Sequence, residues 1–221
     1  MNRQEIIESI EQNKIIVILR GLDRETLFKT VQAMAEGGIR LCEVTFSATG
    51  NPSNEVIAEN IRALAEKFRG KVRVGAGTVL TPEQVELAAK AGAEYIISPD
   101  TNPDVIRRTR ELGLVSIPGS MTPSEATLAN RCGADFVKLF PNSEFQPSYL
   151  KAIAVPLSHI RFLAVGGVNE HNISDYLAAG AAGAGIATGI VNKKMIAAGD
   201  FAGITRLAKT YVEAVAKAVT C

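Results

Sequence analysis

A chain of 221 residues with 47% apolar side chains holds enough core-forming material for one large domain, and its 24 Lys and Arg offset 23 Asp and Glu. That balance, without a basic stripe, aromatic interleaving or an acidic tail, argues against nucleic acid or a membrane surface as a partner. Three cysteines (Cys42, Cys132, Cys221) without a CxxC pair, and two histidines (His159, His171) in polar connections, offer no zinc site, redox motif or metal-ligand spacing, so metal catalysis has no anchor.

Residues 1–13 open with an amphipathic pattern, without the long apolar run of a secretory signal, and read as an extra helix capping the bottom of the fold. No apolar stretch reaches the length of a membrane span, and the chain is expected in the cytoplasm. Short runs rich in β-branched and apolar residues then recur at 15–19, 39–46, 72–76, 95–98, 114–117, 136–140, 160–165 and 183–187. Helix-period segments lie between them. Helix starts are marked by Thr81-Pro82-Glu83, Asn102-Pro103-Asp104 and Thr122-Pro123-Ser124, each a capping oxygen followed by proline at the first helical position. Helix ends are marked by Gly38, Gly92, Gly113, Gly133 and Gly180, each just before the next strand, where a left-handed C-cap belongs. The last helix is expected from about residue 201 to 217.

The unit of strand, loop, helix and glycine repeats eight times with no linker or composition shift, so residues 1–221 are expected to form a single domain. Near-continuous apolar strands joined by crossover helices imply a parallel sheet covered by helices. Eight such units point to the α/β class, as a closed (β/α)8 TIM barrel with an extra N-terminal helix. An open doubly wound sheet is the alternative, because periodicity does not report closure. Neither GxGxxG nor GxxxxGK[ST] follows the first strand, which counts against a dinucleotide-binding version.

Two charges sit inside apolar strand runs: Glu43 in Leu41-Cys42-Glu43-Val44-Thr45-Phe46, and Lys138 in Phe136-Val137-Lys138-Leu139-Phe140. Alternation lets each point into the barrel while Cys42, Val44, Val137 and Leu139 pack outward against helices. A desolvated lysine beside a carboxyl group loses its proton near neutral pH and becomes a nucleophile toward a ketone. For an isolated strand lysine the ordinary reading is snorkelling at an edge; in a barrel, the inward reading is favoured. Function in such folds collects at the carboxyl ends of the strands, where Arg20, Thr78, Pro99 and Phe140 also lie. Arg20 is either a carboxylate clamp or a structural partner of Glu43. Thr78 is either a donor to substrate or a helix cap. Pro99, Phe140 and Pro141 shape the wall. The glycine-rich ends of strands seven and eight, Gly166-Gly167 and Ala187-Thr188-Gly189, suit an anion held by bare backbone N–H groups, although tight strand–helix packing selects the same residues.

Several stretches run in order through nearly the whole chain: Ile18-Leu19-Arg20-Gly21, Glu43-Val44-Thr45, Val74-Gly75-Ala76-Gly77-Thr78-Val79-Leu80, Ile96-Ile97-Ser98-Pro99, Ile117-Pro118-Gly119, Val137-Lys138-Leu139-Phe140-Pro141 and Val165-Gly166-Gly167-Val168. Together they resemble the class I aldolases that act on 2-keto-3-deoxy-6-phospho-sugar acids and 4-hydroxy-2-oxoglutarate, the KDPG aldolase family. The resemblance implies that Lys138 is the Schiff-base lysine, Glu43 the acid/base, and Thr78 with nearby backbone the pyruvoyl-carboxylate site. It implies that Gly166, Gly167 and the turn of Ala187, Thr188 and Gly189 take the phosphate, and that the enzyme is a homotrimer working on a small keto acid without metal or other cofactor. The chain departs from the phosphogluconate branch at Ser47, where that branch carries an arginine. The start Ile18-Leu19-Arg20-Gly21 and the loss of that arginine look more like the phosphogalactonate branch, in which Arg20 would take over anion binding. Two competing readings are an isomerase or epimerase with Glu43 as base and Lys138 as an electrostatic stabiliser, and a non-catalytic barrel that senses a sugar phosphate or pyruvate.

Overall fold

The computed structural model describes residues 2–143 and 145–219; Met1 and Cys221 lie outside the described residues. In chain order the elements are α1 (Arg3–Asn13), β1 (Ile15–Leu19), α2 (Arg24–Glu36), β2 (Leu41–Thr45), α3 (Asn54–Lys67), β3 (Arg73–Gly77), α4 (Pro82–Lys90), β4 (Tyr95–Ile97) and α5 (Pro103–Glu111). They continue as β5 (Val115–Ile117), β6 (Gly119–Ser120), α6 (Pro123–Arg131), β7 (Val137–Leu139), α7 (Pro147–Ala154), β8 (Phe162–Val165), α8 (Ile173–Ala178), β9 (Ala181–Ile186), α9 (Lys193–Ala197) and α10 (Phe201–Val219).

The nine strand segments pair in the order β5-β4-β3-β2-β1-β9-β8-β7-β6. Every pairing between them is parallel. The two ends of that order, β5 and β6, are halves of one strand interrupted at Pro118, so the sheet closes on itself as an α/β barrel. Proline has no N–H to give to a ladder, and the strand divides its neighbours around it. Val115–Ile117 pairs with β4, and Gly119–Ser120 pairs with β7. At the seam, Lys138 N donates to Pro118 O at 2.8 Å and Phe140 N to Ser120 O at 2.9 Å. This interruption and the short helix α9 are the departures from the eight-unit pattern read in the sequence.

The helix starts fall where the capping oxygens stand. Thr81, Asn102 and Thr122 are N-caps of α4, α5 and α6, each accepting from a first-turn backbone N–H, and each followed by proline. Gly38, Gly92, Gly113, Gly133 and Gly180 all adopt positive φ.

The core has two shells. Outside the barrel, Cys42, Val44, Val137 and Leu139 pack against the helix ring. Burial pushes the Cys42 thiol up to about 12, so it acts as a small hydrophobe. Inside, Ile6, Ile7 and Ile10 of α1 pack against Ile16, Leu41, Phe136 and Leu163. Each fully buried isoleucine contributes about 1.5–3 kcal/mol, so α1 is an integral stopper at the amino end. Arg3 ties it to Asp135, just before β7, at 2.7 Å. The barrel is therefore sealed below, and only the carboxyl ends of its strands face an opening.

Candidate active site

Glu43 and Lys138 both project into this closed interior, two residues along their strands from the inner-shell side chains Leu41 and Phe136. Glu43 is 2% exposed and Lys138 8%. Burial pushes the Glu43 carboxyl group up to about 7, opposed by the positive charges of Lys138 and Arg20. A rise of that size makes ionising Glu43 in place cost about 3 kcal/mol more than in water. Burial likewise pushes Lys138 below the ordinary lysine range; Glu43 opposes that shift and Arg20 adds to it. Near neutral pH the Glu43 carboxyl group can therefore act as acid and as base, and burial disfavours the ammonium form of Lys138. Among the described residues the Glu43 Oε2 atom has no hydrogen-bond partner, and Lys138 Nζ stands 4.5 Å from the centroid of the Phe140 ring.

Gly77 makes room for the carboxyl group. A Cβ at Gly77 would approach Glu43 Cδ to 2.6 Å and overlap its Oε2, so a side chain there and Glu43 in this position exclude each other.

The rim is built from the strand tips. Arg20 follows β1 directly, and its Nη2 donates to Thr78 Oγ1 at 3.4 Å. Of the two sequence readings of Arg20, the structure thus gives its hydrogen bond to Thr78 and not to Glu43. Thr78 itself has φ +54, left-handed and unusual for a β-branched residue. The cap of α4 is Thr81, so helix capping does not account for Thr78. Gly166 and Gly167, after β8, have φ of +97 and +74. A Cβ on Gly167 would lie 2.9 Å from the backbone of Ser143, so this loop must be glycine to pass under its neighbour. After β9, Ala187 O accepts from Ile190 N at 3.2 Å and Val191 N at 2.9 Å, folding Ala187, Thr188 and Gly189 into a tight turn.

These pieces meet. One cavity of about 800 Å³ is lined by Glu43 and Lys138 at its floor, Arg20 and Thr78 on one side, and Pro99 and Phe140 on another. Gly166, Gly167, Ala187, Thr188 and Gly189 line its far end. Below the charged pair the interior is filled, with a space of about 10 Å³, room for one water at most, left among the apolar side chains. A neighbouring cavity of about 750 Å³ lies between the loops after β1 and β2; it contains Ser47 and shares Arg20 and Thr78 with the first.

The cavity also takes in residues that sequence reasoning passed over: Asn169, Lys193 and Tyr211. Tyr211 sits at helical spacing in α10 and looks like core, which it is; its hydroxyl lies behind Gly189. Asn192, the N-cap of α9, was the available signal for the loop of Lys193, since asparagine before a short helix marks a cap. Among the described residues, no group of three or more His, Cys, Asp and Glu side chains is placed to hold a metal ion, and no helix is long and apolar enough to cross a membrane.

Residues 6–207 match the family model for KDPG and KHG aldolases. The chain belongs to the KDPG and KHG aldolase family. It is thus an aldolase, a carbon–carbon lyase, by family. The 2-dehydro-3-deoxy-6-phosphogalactonate aldolase of Escherichia coli K12 is 38% identical over 173 residues, 78% of this chain and 82% of the relative. Among solved structures, a native KDPGal aldolase structure has 33% identity and a TM-score of 0.83 over 94% of this chain and 96% of that one. A KDPG aldolase from Legionella pneumophila, captured with pyruvate as a covalent carbinolamine, has 26% identity and a TM-score of 0.82 over 93% and 97% of the two chains.

Proposed function

We propose that this aldolase reversibly cleaves a 2-keto-3-deoxy-6-phospho-sugar acid of the gluconate or galactonate type to pyruvate and glyceraldehyde 3-phosphate, and that it also accepts 4-hydroxy-2-oxoglutarate, giving pyruvate and glyoxylate. The observation that carries the reading is the buried pair: a lysine whose ammonium is disfavoured by burial, beside a carboxyl group poised near neutrality, at the floor of one deep cavity.

The chemistry follows from those two groups. The neutral Lys138 amine attacks the C2 ketone, and Glu43 protonates the departing hydroxyl so that water leaves and an iminium forms. The Glu43 carboxylate then takes the C4 hydroxyl proton; the C3–C4 bond breaks, its electrons pass into the iminium, and the aldehyde is released. Protonation of the resulting enamine at C3, followed by attack of water on the iminium, frees pyruvate and restores the amine. Arg20 and Thr78 are assigned to the anionic or hydroxylated part of the substrate near the lysine. The glycine loop and the turn after β9 are assigned to the phosphate. Ser47, in place of an arginine, favours the galactonate configuration, with Arg20 supplying the missing charge. The same reading carries a cytoplasmic homotrimer of carbohydrate breakdown, of the Entner–Doudoroff type, with the imine as its only cofactor-like group.

Mass spectrometry after incubation with pyruvate and borohydride tests this. A pyruvate-derived mass on the peptide containing Lys138 is expected, and none in Lys138→Arg, because a guanidinium stays protonated and cannot attack. An active enzyme with no adduct, or with one on another lysine, would refute the assignment and favour the isomerase reading.

A further inference from the structure

The far end of the cavity carries a cation that the mechanism leaves unused. Lys193 is the first residue of α9 and lines the cavity together with Gly166, Gly167, Thr188 and Gly189. We infer that Lys193 is a specificity-determining residue, a side-chain counter-charge that makes this enzyme select a substrate phosphorylated at the end remote from the keto group.

Three features support it. First, the charge on the walls is unbalanced: among the described lining residues Glu43 is the one carboxylate, against Lys138, Arg20 and Lys193. Glu43 and Lys138 largely answer each other at the floor; at the glycine end Lys193 is the cation of the described wall, with the Glu170 carboxyl group set behind it on the Tyr211 hydroxyl. A keto acid with both a carboxylate and a phosphate brings two anionic groups to a wall that carries Arg20 and Lys193; the same acid without phosphate brings one.

Second, the position of Lys193 is fixed by its own loop. The turn closed on Ala187 O runs straight into Asn192, whose backbone N donates to Ile190 O at 2.8 Å. The Asn192 side chain in turn accepts from Lys194 N at 3.0 Å and Met195 N at 3.2 Å. The residue between these anchors therefore leaves the wall at a defined place beside the glycines. With five residues, α9 offers the side chain and no useful helix terminus.

Third, the facing loop is equally ordered. Asn172 Nδ2 donates to Gly167 O at 3.0 Å, and Asn169 N donates to Asn172 Oδ1 at 2.7 Å. An anion there would thus meet a prebuilt backbone surface and a long, exposed cationic chain lining the same cavity. The backbone groups give orientation. The lysine gives the preference for charge.

This inference rests on the aldolase reading, and the experiment separates the two. Steady-state kcat/KM is measured for one 2-keto-3-deoxy sugar acid with and without its 6-phosphate, in wild type, Lys193→Gln and Lys193→Arg, across ionic strength, with the pyruvate–borohydride adduct measured in each. The ratio of phosphorylated to unphosphorylated substrate is expected to fall about tenfold in Lys193→Gln, the low end for a charge-assisted contact because the chain is exposed. It is expected to recover in Lys193→Arg, and its salt dependence to flatten in Lys193→Gln. A ratio unchanged in Lys193→Gln, with the adduct formed normally, would overturn the role of Lys193 alone. A wild-type protein that forms no adduct would overturn the aldolase reading and this inference with it.

Discussion

Replacing Gly77 by alanine should disable the site without touching a charged residue. The added Cβ would stand 2.6 Å from Glu43 Cδ and overlap Oε2, so the carboxyl group must retreat by at least about 0.8 Å to reach the 3.4 Å of an ordinary contact. The carboxyl group has little room to retreat, since Glu43 is 2% exposed. Overpacking of this kind costs about 1–3 kcal/mol, which in a domain of this size lowers Tm by roughly 2–12 °C. A base displaced by close to 1 Å loses about 10²-fold in kcat. The assay pairs thermal melting with continuous detection of pyruvate release, in Gly77→Ala, Glu43→Asp and the double variant. Aspartate is shorter by one methylene and withdraws from the intruding methyl. The double variant should therefore melt higher than the sum of the single effects predicts, by an interaction energy of about 1 kcal/mol. Wild-type kcat and Tm in Gly77→Ala, or strict additivity in the cycle, would refute the argument that Gly77 exists to seat the Glu43 carboxyl group.

Two further outcomes are expected. With Glu43 raised to about 7, its carboxylate form is scarce below neutrality, so kcat should fall as pH drops below about 7 and not near the usual carboxylate value of 4.5; Glu43→Gln should lower kcat by roughly 10²–10⁴-fold and abolish that limb in a pH–rate profile. Thr78 pays a backbone cost at φ +54, so Thr78→Gly should raise stability by about 1 kcal/mol in denaturant unfolding while weakening the hold of Arg20 on substrate, read as a higher KM.

The parts of this molecule written by local chemistry could be read from the sequence. The proline-marked caps at Thr81, Asn102 and Thr122 and the five C-terminal glycines fixed where helices begin and end. Strict alternation places Glu43 and Lys138 on the inner face. What escaped reading depends on partners distant in the chain. Pro118 splits a strand because its two halves serve different neighbours, and a run of three or two residues carries no sign of which neighbour it will meet. Lys193 carries no signal, since nothing in Asn192-Lys193-Lys194 tells that the turn before it and the glycines of the preceding unit line one cavity. Tyr211 carries a core signature and differs from its neighbours only because Gly189 happens to face its hydroxyl. Thr78 was legible as a candidate but not as the holder of a strained backbone, a property that only the fold imposes.

The isoleucine stopper at the amino end makes the barrel a cup with one mouth. For the reaction proposed here, traffic through that mouth has an order. The three-carbon half of the substrate is tethered at the floor while the aldehyde half lies nearer the rim, so the aldehyde must depart first and pyruvate last. Run backwards, pyruvate must arrive first, and an aldehyde that enters an empty cup only blocks its own partner. Synthesis should therefore show ordered addition, with the aldehyde inhibiting competitively against pyruvate at high concentration.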